Sequence, residues 1–256
     1  MSAAPLSHAD LAAFHDQGFL VVRNLADTAL REAILRVGHE HLAQAIAPVE
    51  LEADTNYPGA PANREAAGGR TVRRLLQVFA RDDAFRAWAL NEAVTSRVKQ
   101  LLDTPHIALT QAHHNSLMTK QPTFSSVTHW HRDIRYWNFE DSNLVSVWLA
   151  LGKEFRENGC LGFLPGTHKM NIAPERFENL AFLRDDIPEN RTLIDSAVFP
   201  ELEPGDVVFF HAMTFHAAGW NRTDATKYSL VFGYHRQDNQ PRPGTRSASV
   251  PTVRID

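Results

Sequence analysis

The chain has 256 residues, 43% of them hydrophobic and 22% charged, and a formal net charge of -4 with its 13 histidines neutral. This is the balance of a soluble globular protein with enough apolar residues for a full core, and its charge excludes general attraction to nucleic acid or to an anionic membrane. The first residues, MSAAPLSHADLAAFHDQG, lack a basic region followed by an apolar run, and a lone Cys160 makes no internal disulfide, so a cytoplasmic protein without membrane span is expected.

In chain order, Ser7 with Asp10 three residues on reads as a helix start, Leu11 and Phe14 form its apolar face, and Gly18 ends it. Phe19 to Val22 reads as a strand, and Asp27 or Thr28 caps a longer helix with Leu30, Ile34, Val37, His41 and Leu42 at helical spacing. Residues 48–70, with Pro, Gly, Asn and Ala, have no period and read as a loop that moves or folds over a site. Residues 71–102 return to helical spacing through Leu75, Val78, Phe79, Phe85, Trp88, Leu90, Val98 and Leu102.

From about residue 105 the pattern becomes β. Ile107, Leu109, Gln111, His113 and Asn115 alternate with their neighbours, and Asn143 to Lys153 is an apolar run fit for a buried strand. Strands are also expected over Val207–Phe210, Thr214–Gly219 and Tyr228–His235, with a turn at 165–168 and an insertion at 171–191. Helices followed by many short strands predict a mostly β single domain, 1–256. Its parts are a mainly helical support layer (1–104), a double-stranded β-helix, or jelly roll, core (105–236) and an irregular tail (237–256).

The densest chemistry lies in Thr128-His129-Trp130-His131-Arg132-Asp133. In an extended strand His129, His131 and Asp133 share one face. Two imidazoles and a carboxylate form the facial triad of non-haem Fe(II) oxygenases, with three adjacent coordination positions left for other ligands. His168, His211, His216 and His235 are downstream candidates for the remaining histidine, and His216, on a strand after the Gly205-Asp206 turn, is best placed. Spacing alone leaves open an ordinary core or surface histidine at each of these positions. A cupin-type His129-His131 pair is the rival metal reading, but residues 134–137 supply no carboxylate for it.

Further motifs follow His131-Arg132-Asp133-Ile134-Arg135-Tyr136-Trp137 in order: Trp148, Glu157-Asn158-Gly159-Cys160-Leu161, Leu164-Pro165-Gly166-Thr167-His168-Lys169, Pro204-Gly205-Asp206 and His211-Ala212-Met213-Thr214-Phe215-His216. With this series, residues 105–235 resemble the phytanoyl-CoA dioxygenase family of Fe(II)/2-oxoglutarate oxygenases, and Gly18 to Val22 resembles the family's N-terminal start. The resemblance implies that His131, Asp133 and His216 ligate Fe(II), that 2-oxoglutarate fills two further positions and that O2 fills the last. It implies Lys227 and Ser229 as anchors of the co-substrate's distal carboxylate, Lys227 standing where the family carries an arginine, with Lys120 in reach and Trp148 as an aromatic wall. Ala218 replaces a serine often found in the family after the distal histidine.

Halogenating relatives replace the carboxylate ligand, and this chain keeps Asp133. The implied reaction is therefore hydroxylation of an aliphatic C–H, coupled to oxidative decarboxylation of 2-oxoglutarate to succinate and CO2. Arg70, Arg73 and Arg74, with Arg132, Arg135 and Arg184, suit a small anionic metabolite as substrate, a solvated helix face being the other reading of the 70–74 cluster, and His129, Arg135, Trp137, Arg70, Arg74, Gln111 and His113 are the candidate contacts. A cupin-type metal enzyme without 2-oxoglutarate and a non-catalytic ligand-binding jelly roll are the alternative functions. Monomer and homodimer stay open.

Overall fold

The computed structural model describes residues 4–55, 57–178 and 181–256. Met1 to Ala3, Asn56 of the 48–70 loop, and Asn179 and Leu180 of the 171–191 insertion lie outside the described residues. The N-terminal layer opens with α1 (His8–Gln17), closed by a capping box in which Ser7 Oγ accepts from the Asp10 N–H and the Asp10 carboxylate accepts from the Ser7 N–H. Then come β1 (Phe19–Val22), α2 (Thr28–Ala43), β2 (Val49–Leu51), β3 (Val72–Leu76), α3 (Asp83–Ala89) and α4 (Glu92–Leu101). The β region contains β4 (Ile107–Lys120), β5 (Thr128–His131), β6 (Leu144–Ala150), β7 (Leu161–Phe163), α5 (Pro188–Asp195), β8 (Val207–His211), β9 (His216–Ala218), β10 (Lys227–Arg236) and β11 (Val253–Ile255).

Two antiparallel sheets build the jelly roll. The larger runs β1-β8-β6-β10-β4-β3-β2, with β11 also on β4, and the smaller runs β5-β9-β7. Period-two alternation divides the large sheet's side chains between two environments. Leu117, Val147, Phe209, Leu230, Phe232 and Tyr234 face the helices and form the main core with Ile34, Phe85 and Trp88. Each such fully buried side chain contributes about 2 kcal/mol by leaving water. The opposite face, with Trp148, Ala150, Val208, Phe210 and Val231, packs toward Leu161, Phe163 and Ala218 of the small sheet. The site lies between the sheets.

Four segments differ from the sequence reading. Residues 72–76, expected to be helical, form β3, paired with β4 in the register Arg74–Met118, Leu75–Leu117 and Leu76–Ser116. Leu75, Val78 and Phe79 have helical spacing, but Gln77 takes a left-handed backbone (φ 54°) that ends the strand and starts a separate 3-10 turn, Val78–Ala80. The tail expected to be irregular carries β11, which pairs Val253–Ile255 with Leu109–Ile107. The loop at 48–70 contains β2, and the 171–191 insertion runs into α5.

Candidate active site

Sheet register brings the two histidines together. His131 ends β5 and His216 begins β9, and the two are Cα partners across that pair, with ring centroids 4.2 Å apart. Asp133 follows β5 in the first turn of a 3-10 segment, Asp133–Tyr136, which turns its carboxylate back toward both rings. His216 Nε2 is 3.5 Å and His131 Nε2 3.9 Å from Asp133 Oδ1, and one ligand atom from each residue lies within 4.8 Å of the others. All three side chains are buried.

The donor atoms are set for a metal. His131 Nδ1 donates to the His129 carbonyl at 2.8 Å and His216 Nδ1 to the Thr214 carbonyl at 3.1 Å. A carbonyl only accepts, so each neutral ring carries its proton on Nδ1 and keeps the Nε2 lone pair for a ligand bond. Burial, reinforced by the facing His216, pushes His131 well below the ordinary imidazole range, and burial also lowers His216. Burial alone would raise Asp133, but the His114 ring beside it, which also hydrogen-bonds to it, outweighs this and holds the carboxyl well below its usual range. The site therefore presents two neutral imidazoles and an ionised carboxylate, the protonation states a divalent metal requires.

His129 does not join the triad. Thr128 pairs with Ala218 and His131 with His216, so β5 advances three residues while β9 advances two. This bulge breaks the expected alternation. The His129 ring packs beside Phe182, 5.7 Å between centroids, and does not line the cavity.

In its place stands His114, which strand alternation did not single out. Across β4 and β10, Phe232 pairs with Asn115 and Gly233 with Thr110, so four residues, Gln111–His114, are extra on β4. The protrusion brings His114 Nε2 within 3.3 Å of Asp133 Oδ1. Ser146 Oγ lies 2.9 Å from His114 Nδ1 and donates to Asp133 Oδ2 at 3.2 Å. His113 turns elsewhere: its ring stacks on Trp137, and its Nε2 lies 2.7 Å from Ser247 Oγ of the C-terminal segment.

A cavity of about 520 Å3 contains the triad and extends both ways between the sheets. This is the size of a small-molecule site. One end is basic and buried: Lys120, Lys227 and Trp148 line it, while Ser229 hydrogen-bonds to Lys227 just behind. Gly159, at φ 74°, makes this packing possible, because a Cβ there would come within 2.6 Å of the Gly219 carbonyl and 2.8 Å of Lys120 Cδ. The Lys227 ammonium lies 5.1 Å from the centroid of the Trp148 ring. Glu154, which carried no sequence signal, closes this end behind Lys227 and Ser229.

The cavity is also lined by Tyr57, Arg73, Arg74, Gln111, His113, Trp137 and Arg246. Arg73 and Arg74 both line it although adjacent on β3, because Glu50 pairs with Arg74 and Leu51 with Val72, leaving Arg73 as a bulge residue. Arg74 is held bidentately by Glu50, both bonds at 2.7 Å. Arg70 lies outside the cavity on the surface, 3.7 Å from Glu65. Arg135 also lies outside the lining, against the Phe182 ring, and donates to the Tyr57 hydroxyl. No helix among the described residues is long and apolar enough to cross a membrane.

The comparisons with known proteins agree with this geometry. A family model for phytanoyl-CoA dioxygenase matches residues 14–229. Peroxisomal phytanoyl-CoA dioxygenase of Homo sapiens is 28% identical over 229 residues, 85% of this chain and 64% of the human protein. Ectoine dioxygenase of Streptomyces avermitilis is 28% identical over 170 residues, 64% of this chain and 52% of that protein. The chain thus spans less than two thirds of the length of these curated relatives.

Among solved structures, EctD from S. alaskensis with 2-oxoglutarate and 5-hydroxyectoine superposes with a TM-score of 0.78 at 18% identity, over 100% of this chain and 89% of that one. The epimerase SnoN with Fe3+, alpha ketoglutarate and nogalamycin RO gives 0.73 at 19% identity, over 92% and 85%. At these identities the likeness is one of fold. The family-model match, which takes in His131, Asp133 and His216, identifies the chain as a member of the phytanoyl-CoA dioxygenase family.

Proposed function

We propose that the protein is an Fe(II)/2-oxoglutarate-dependent dioxygenase that hydroxylates an aliphatic C–H of a small anionic metabolite. The observation that carries the reading is the buried convergence of His131, Asp133 and His216, with both Nδ1 atoms tied to backbone carbonyls. These three residues would hold the iron, which fits their donor set. When bound, Fe(II) with 2-oxoglutarate supplies O2 activation coupled to oxidative decarboxylation of the co-substrate to succinate and CO2.

The chain's own residues do the rest. His114 and Ser146 hold the Asp133 carboxylate in place. Lys120, Lys227 and Ser229 form the cationic end that binds the co-substrate's distal carboxylate, and Trp148 walls it. Burial between the sheets excludes water and strengthens these interactions. Arg246 also lines the cavity with no ion pair among the described residues, which supports an anionic group on the substrate. Retention of the Asp133 carboxylate supports hydroxylation over halogenation.

The test is to titrate the protein anaerobically with Fe(II) and then 2-oxoglutarate, and to assay succinate on admitting O2. The expected result is a visible charge-transfer band that needs both components, followed by succinate. No band and no succinate would sink the reading and leave a metal enzyme that does not use 2-oxoglutarate, or a binding protein.

A further inference from the structure

The cationic end of the cavity already contains a carboxylate of the chain's own. Glu154 lies just past β6 with its side chain fully buried. Its Oε1 accepts from Ser229 Oγ at 2.6 Å and from Trp148 Nε1 at 2.9 Å, and its Oε2 accepts from Lys227 Nζ at 3.3 Å. Lys227 Nζ also donates to Ser229 Oγ at 3.1 Å. Two of the ammonium's three N–H groups are therefore engaged within the protein. A buried pair of opposite charges this close presents a dipole, not a net charge, to an anion in the cavity.

Lys120 is placed differently. It is the Cα partner of Lys227 across β4 and β10, so both side chains leave the same face of the sheet. Its Nζ donates to the Ser126 carbonyl at 2.8 Å and makes no ion pair among the described residues. Burial, with the positive charges of Arg73 and Lys227, pulls it down to about 7, against a raising influence from Glu52, whose carboxylate accepts from the Ser126 N–H.

We propose that Glu154 is a positioning residue that cancels the charge of Lys227, leaving Lys120 as the cation that holds the distal carboxylate of the 2-oxo acid. This rests on the 2-oxoglutarate reading above. Lys227 offers the co-substrate its remaining N–H but no net charge. Lys227 and Glu154 are then coupled, because removing Lys227 alone leaves Glu154 as an uncompensated buried anion beside the arriving one.

The experiment is calorimetric titration of the Fe(II)-loaded protein under argon with 2-oxoglutarate, with circular dichroism of each variant as the check on folding. Lys227→Met should weaken binding by at least about tenfold, the size expected for an unpaired buried charge. The double variant Lys227→Met/Glu154→Gln should bind at least about fivefold more tightly than Lys227→Met, the two side chains being coupled. Lys120→Met should weaken binding by at least about tenfold in either background. If Lys227→Met fails to fold, the double variant compared with Lys120→Met decides. A double variant that binds as poorly as Lys120→Met, or a Lys120→Met that binds like wild type, overturns the inference. A wild-type protein that binds no 2-oxoglutarate overturns the function proposed above, and this inference with it.

Discussion

His114 Nε2 lies 3.3 Å from Asp133 Oδ1, so the carboxylate of the triad is held by a ring from a different sheet. His114→Ala should lower iron affinity by about 10- to 100-fold, the usual cost of losing a group that orients a metal ligand. Competition against a chelator of known affinity measures it. His114→Gln, which keeps a donor, should recover part of the loss; equal loss in both variants would assign the effect to packing on Trp137, whose ring centroid is 4.9 Å away.

Asp133→Ala removes the only carboxylate of the metal cluster found among the described residues. Iron bound per protein should fall by more than the loss in His114→Ala, and succinate formation should stop. Full iron occupancy with full turnover would remove Asp133 from the ligand set.

Proton uptake should accompany co-substrate binding. Lys120 is lowered to about 7 by burial and by the facing Arg73 and Lys227, against a raising influence from Glu52. Below that pH the ammonium is already formed. Above it a bound carboxylate favours the charged form, so binding at pH 8 takes up a proton. Calorimetry at pH 8 in buffers of different ionisation enthalpy should give a positive slope, absent in Lys120→Met.

Gly18 closes α1 at φ 81°, and an added Cβ would lie 2.4 Å from both His168 Nδ1 and Thr214 Oγ1. Its carbonyl accepts from His211 N at 2.9 Å and from Thr214 Oγ1 at 2.8 Å, which fixes the segment leading to His216. Gly18→Ala should cost about 2–3 kcal/mol of stability and weaken iron binding. Gly244→Ala, at φ 75° with nothing near its Cβ, is the control and should cost only about 1 kcal/mol, read from urea denaturation.

Acid should destabilise the fold before the carboxylates titrate. Burial, with His168 and Arg132 nearby, pushes His211 from 6.5 down to about 4, and burial with Arg246 pushes His113 to about 3. Between 6.5 and those values the unfolded chain binds protons that the folded chain refuses, so stability falls as the pH drops through this window. Urea midpoints at pH 7 and pH 5 should differ in that sense, and His211→Gln should narrow the difference.

The triad was legible because its signals are local and chemical: the closely spaced His131 and Asp133, and His216 after a Gly205-Asp206 turn. Val207–Phe210 and Tyr228–His235 lie within a residue or two of the observed strands because both are rich in β-branched and aromatic residues. His114 was hidden because its position depends on a protrusion of β4 that alternation cannot express, and His129 was misplaced by a bulge for the same reason. Glu154 was hidden because its partners Lys227 and Ser229 are distant in sequence, and β3 because its apolar spacing also matches one turn of helix.

The protrusion in β4 contains an even number of residues, Gln111–His114. Even length preserves phase: Leu109 before it and Leu117 after it both face the helices, and Met118 and Lys120 keep their places relative to Ser229 and Lys227. A change of one residue would invert every side chain beyond it, sending Lys120 toward the apolar core and Leu117 into the cavity. A change of two would keep the cationic end intact while redrawing the wall around the triad. The segment is therefore a parity-locked cassette, in which length variation in pairs can reshape the reaction chamber without loss of the fold.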